Sequence, residues 1–146
     1  MRIASVLMAS LLVALAAPFV RAEDLIHIEV VGLHNSKGQV GCSLYPSAEG
    51  FPNKPDKAVR NIMVPIKDQK AVCDFKGLAK GTYAVSAMHD EDSSGKMEFN
   101  DMGIPSKGVG ASKDAKGDMG PPKFKDASFD YPGGRKDLTI HIQYLL

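Results

Sequence analysis

Apolar residues recur at every second position in short runs along this chain, and outside its first two dozen residues nothing carries the 3.6-residue period of a helix. Within 25–31, Ile26, Ile28 and Val30 share one face while His27 and Glu29 share the other. That alternation marks a half-buried strand. Similar runs are expected over 39–45, 58–66, 70–75 and 82–89, and the last, with Leu138, Ile140, Ile142 and Tyr144 on one face, is the clearest. Glycine and proline separate them. The turn at 35–38 is expected to join the first two strands as a β-hairpin, and Pro65, which cannot donate to a ladder, belongs at an edge or a strand end. The segment 103–134, rich in glycine and ending in Pro132-Gly133-Gly134, reads as a long glycine-rich loop with a short strand near 127–131. The last strand is expected to pair centrally and close the core. About seven short strands between such turns predict an all-β fold, an antiparallel β-sandwich.

Residues 1–22 read as a secretory signal peptide: Arg2 gives a positive start, an apolar run follows, and Val20-Arg21-Ala22 offers small residues for cleavage. The apolar run is shorter than the about 20 residues a spanning helix needs, so no transmembrane segment is expected in the mature chain. Residues 23–146 then form one β-sandwich domain, exported to the periplasm or beyond the cell. Removing Arg2 and Arg21 lowers Lys+Arg from 18 to 16 against 17 Asp+Glu, a formal charge of −1. So balanced a surface gives no footprint for nucleic acid. The two cysteines, Cys42 and Cys73, share parity with inward-facing neighbours, and in an exported protein a disulfide between them is expected.

The chemistry concentrates in 89–101. Oxygen-bearing side chains fall at Asp90, Asp92, Ser94, Glu98 and Asp101, positions one, three, five, nine and twelve of a loop that starts at Asp90. Gly95 stands at position six, where a calcium loop bends, and the carbonyl of Lys96 falls at position seven. A hard cation takes six to eight oxygens, and a short loop supplies them by turning alternate residues inward. Ca²⁺ is the expected ion, with Mg²⁺ as the variant. Asp101, one methylene shorter than the Glu usual at position twelve, predicts weak binding.

The run Gly81-Thr82-Tyr83-Ala84-Val85, Ala87, His89-Asp90, Asp92, Gly95, Asn100 and Gly103-Ile104-Pro105, with the later 120–129 run Gly-Pro-Pro-Lys-Phe-Lys-Asp-Ala-Ser-Phe, resembles the small exported bacterial proteins of domain-of-unknown-function family 2141. The resemblance covers nearly all of the mature chain. It implies an immunoglobulin- or transthyretin-like sandwich and says almost nothing about activity.

Three functional classes fit these residues. The first is a non-catalytic module, a monomer, with a Ca²⁺-ordered loop, serving as a binding or structural envelope protein whose partner is another envelope protein, a peptide or a glycan. The second is a periplasmic copper carrier using Met88, His89, Met97, Met102 and Met119, since thioether and imidazole suit Cu(I). The third is a metal-dependent enzyme built on His89 and Asp90. No nucleophile elbow, zinc helix or phosphate loop supports the third, and methionine is a common core filler. The first is therefore preferred.

Overall fold

The computed structural model describes residues 23–146, so the expected signal peptide lies outside the described residues. Eight strands appear: β1 (Leu25–Val31), β2 (Gln39–Tyr45), β3 (Arg60–Pro65), β4 (Ala71–Lys76), β5 (Gly81–Asp90), β6 (Gly108–Ala111), β7 (Phe129–Tyr131) and β8 (Arg135–His141). One sheet has the order β4-β1-β8 and the other β3-β2-β5-β6, with β7 paired to the start of β5. Their facing sides make an all-β sandwich. No helix among the described residues is long and apolar enough to cross a membrane.

The alternating residues meet where their parity sends them. Ile26, Ile28 and Val30 from β1, Val40 and Leu44 from β2, Phe75 from β4, Val85 from β5 and Ile140 from β8 are all buried in one core. Removing a large aliphatic or aromatic side chain of this kind from water stabilises by about 1.5–3 kcal/mol. A disulfide joins Cys42 on β2 to Cys73 on β4, with Cα atoms 6.5 Å apart, so it ties one sheet to the other through the core.

Three expectations are corrected. β1 and β2 do not form a hairpin: both edges of β1 are taken, by β4 and β8, and the link after β1 carries the chain across to the other sheet. β8 is not central but an edge strand, and its pairing with β1 is the parallel one in an otherwise antiparallel set. The glycine-rich segment carries the expected short strand as β7, but what precedes it is not one long loop, for it contributes β6 and a helix α1 (Phe124–Ala127). There Ser112, fully buried, accepts the Val85 N–H at 2.9 Å and donates to the Ala127 carbonyl at 2.6 Å, while Phe124 and Phe51 cover Ala84 and Ala111. Beyond β8 the chain crosses back, and Gln143 bridges to Val109 of β6. Gly108 permits that approach, because a Cβ there would lie 2.6 Å from both the Ile142 and Tyr144 side chains.

Candidate functional site: a cation cradle at the end of β5

β5 ends in two residues that alternation sends to opposite faces. His89 turns into the sandwich, where both ring nitrogens are engaged: Nε2 lies 2.9 Å from the Lys37 carbonyl and Nδ1 2.6 Å from the Tyr144 hydroxyl. A carbonyl only accepts, so the proton sits on Nε2, and Nδ1 accepts from Tyr144. That hydroxyl in turn accepts the His34 N–H at 3.0 Å, and the His34 ring stacks on Tyr144 with centroids 3.5 Å apart. Burial pushes the Tyr144 hydroxyl above its ordinary pKa, the His34 N–H opposes this, and Glu91 adds to it. His89 thus fastens the loop before β2 and the C-terminal segment to the end of β5.

Asp90 turns the other way and is also fully buried. Its Oδ2 accepts the Gln39 amide at 3.0 Å and the Gly95 N–H at 2.7 Å, and its Oδ1 accepts Lys107 Nζ at 2.6 Å. Burial raises the pKa of this carboxyl, but the Gln39, Lys107 and Gly95 donors together outweigh it and hold the group far below the usual carboxylate range. Gly95 adopts φ +74° to aim its N–H at Asp90, with open space where a Cβ would stand. Gly95→Ala is therefore expected to cost about 1 kcal/mol through backbone strain alone, measurable as a lower denaturant midpoint at unchanged slope.

One cation gathers the loop. Lys107 Nζ lies 2.6 Å from Asp90 Oδ1, 2.9 Å from Asp92 Oδ1, 2.8 Å from Ser94 Oγ and 2.6 Å from the Lys96 carbonyl. These are positions one, three, five and seven of the calcium-type spacing, and a tethered ammonium stands at their centre. Its three N–H donors are shared among four oxygens. Burial lowers the pKa of the ammonium, yet Asp90 and Asp92 outweigh it and leave it raised. The Asp92 carboxyl is held down first by Lys107 and then by the Ser94 N–H.

Of the six residues expected at the site, four converge and two do not. Glu98 and Asp101 offer no side-chain oxygen to the cradle, because the chain turns earlier than a twelve-residue calcium loop would. Asn100 accepts the N–H groups of Met102 at 3.0 Å and Ile104 at 2.9 Å through its side chain, and Ser106 N–H donates to the Glu98 carbonyl at 2.9 Å. A hairpin results, with the Phe99↔Pro105 bridge at its neck and Asp101 exposed at its tip. Its return strand delivers Lys107, which lies outside the calcium-type spacing counted from Asp90. Register was the missing signal: Gly108 pairs with His89, which sets Lys107 beside Asp90.

Among the described residues no three His, Cys, Asp or Glu side chains converge as a metal-ligand group. Met88 packs over Gly41 beside Met63 on the outer face of the five-stranded sheet, while Met102 and Met119 are exposed on separate loops. A cleft of about 300 Å³ opens beside the cradle, bounded by Glu91, Glu98, Lys107 and Tyr144.

Fold and site together define a disulfide-clamped β-sandwich whose acidic loop closes around a cation supplied by the chain itself. The chain belongs to the family described as an uncharacterized protein conserved in bacteria, DUF2141, whose model matches residues 28–139. No curated protein and no solved structure matches it.

Proposed function

We propose that this chain is a non-catalytic binding or structural module of the bacterial envelope whose acidic loop is a hard-cation cradle, filled by Lys107 and open to Ca²⁺ when that ammonium leaves. The observation that carries this reading is the convergence of Asp90, Asp92, Ser94 and the Lys96 carbonyl, all hard oxygen donors, on one positive centre. A tethered ammonium orders the loop without drawing on dissolved metal. Its distances to oxygen are only slightly longer than the roughly 2.3–2.6 Å of Ca²⁺ ligation. The non-catalytic part rests on the end of β5: His89 and Asp90 face apart, and the hydrogen bonds of each are already spent within the fold. Export to an oxidising compartment is consistent with the Cys42–Cys73 bond.

Calorimetric titration of chelator-stripped residues 23–146 with Ca²⁺, for the natural chain and for Lys107→Met, tests the cradle. The natural chain is expected to bind Ca²⁺ weakly, with Kd above about 1 mM. The variant, whose loop has lost its cation, is expected to bind at about 10⁻⁴–10⁻³ M and to melt higher as RT ln(1 + [L]/Kd) requires. Absence of Ca²⁺ binding by the folded variant would reduce the loop to a purely ammonium-specific turn.

A further inference from the structure

We propose that two copies of this chain associate about a two-fold axis by mutual insertion, the acidic hairpin tip of each entering the apolar cleft between β3 and β4 of the other. The hairpin presents Phe99 at 46 % and Met102 at 79 % exposure. Neither is a loose end, since the backbone bonds across the tip and the Lys107 anchor at its base fix where they point. Exposed apolar groups held on a rigid projection act as anchors seeking a socket. Beside them Glu98 and Asp101 carry carboxylates with no ion-pair or hydrogen-bond partner among the described residues.

The molecule carries a matching socket. A cleft of about 360 Å³ lies between the edge strands β3 and β4, floored by Val64, Pro65, Ala71 and the exposed Val72, with Lys67, Lys70 and Glu29 at its rim. Lys70 is loosely paired with Glu29 at 3.7 Å, and Lys67 has no ion-pair partner among the described residues. An apolar knob flanked by carboxylates thus faces an apolar hole whose rim carries two ammonium groups against one carboxylate, with Lys67 the charge left over, and opposite charges at a rim set register and exclude wrong partners.

Both features sit at one end of the sandwich. Gln39 pairs with Pro65 on one side and Asp90 on the other. The loop between β1 and β2 spans the gap, with Gln69 donating to the His34 carbonyl and Asn35 to Glu91. With knob and hole at the same end, one two-fold rotation engages both pairs at once and closes a dimer; a contact that engaged only one pair per subunit would be heterologous and propagate as an open chain. Two small contacts place the interface in the weak class below about 1,200 Å². The proposal is independent of which cation the cradle accepts from solution.

Sedimentation velocity of residues 23–146 from about 10 µM to about 1 mM tests it. The average mass is expected to rise toward two chains across that range. Met102→Asp and Val72→Asp, both at exposed positions, are each expected to weaken association at least about tenfold while melting as the natural chain does. Lys67→Glu is expected to weaken it too, and adding Asp101→Lys to the same chain to restore it. A monomer throughout, growth past the dimer, or a dimer indifferent to both aspartate variants would overturn the proposal.

Discussion

Lys107→Met is expected to lower the unfolding free energy by about 3–5 kcal/mol at neutral pH in the absence of divalent metal, because it strips a buried carboxylate of its counter-charge. Asp90 is fully buried, and among the described residues Lys107 is the one full positive charge bonded to it. Methionine keeps most of the lysine stem's volume, so packing changes little and the loss reports the charge. The pH dependence separates this account from a simple packing defect. In the natural chain the pKa of Asp90 is lower folded than unfolded. Its contribution is therefore present above the unfolded value of about 4 and is lost as pH falls toward the folded one. The Lys107 pKa is raised on folding, so its contribution is present below about 10.4 and is lost at higher pH. Without the ammonium, burial pushes Asp90 upward against neutral donors alone, Gln39, Gly95 and the longer Ser94 contact, and protonating it relieves the variant where it harms the natural chain. Denaturant unfolding of both proteins between pH 3 and pH 10 is expected to show a gap that narrows as the pH falls below about 4. A gap that stays constant with pH would mean that the side-chain stem, and not its charge, holds the loop.

The cradle was only partly legible in the sequence, and the division has a physical cause. Asp90, Asp92, Ser94, Gly95 and the Lys96 carbonyl are neighbours in the chain, and their spacing alone dictates that they turn toward a common centre. What fills that centre comes from 11 residues beyond Lys96, across a hairpin whose turn is set by Asn100. Counting positions onward from Asp90 put Asp101 at the site because the count assumes one continuous loop, whereas the Asn100 side chain folds the segment back on itself before position twelve. The strands divide in a similar way. Alternation told which residues of β1, β2 and β8 face inward, since burial follows from side-chain parity, and Ile28, Cys42 and Ile140 are all buried. It carried no information on which strand lies beside which, so the expected β1–β2 hairpin and the central β8 both failed. β6, reading Gly-Val-Gly-Ala, has almost no side chains to alternate and became recognisable only through its pairing with β5.

Replacing both cysteines, as Cys42→Ala with Cys73→Ala, is expected to cost about 3–4 kcal/mol and to lower the melting temperature by about 10–20 °C. The bond spans a sequence separation of 31, and closing a loop of that length removes entropy mainly from the unfolded chain. The same substitutions leave the native contacts around β2 and β4 short of only two sulfur atoms, in a core still filled by Phe75, Leu44 and Ile28. An unfolded state freed from the cross-link exposes more surface, so the denaturant slope is expected to rise while the midpoint falls. That pairing of changes distinguishes loss of the cross-link from loss of packing, which would move the midpoint at constant slope. The bond also stands beside an open margin of the sandwich, since β3 and β4 are the edge strands of their two sheets, joined by the Lys67–Lys70 turn at one end and by Arg60 donating to the Lys76 carbonyl at the other. A loss of this size is a large part of the roughly 5–15 kcal/mol that keeps a domain folded. The variant pair should therefore remain folded at 25 °C but open first along the β3–β4 edge, seen as faster amide exchange in β3 and β4 than in β1 and β5.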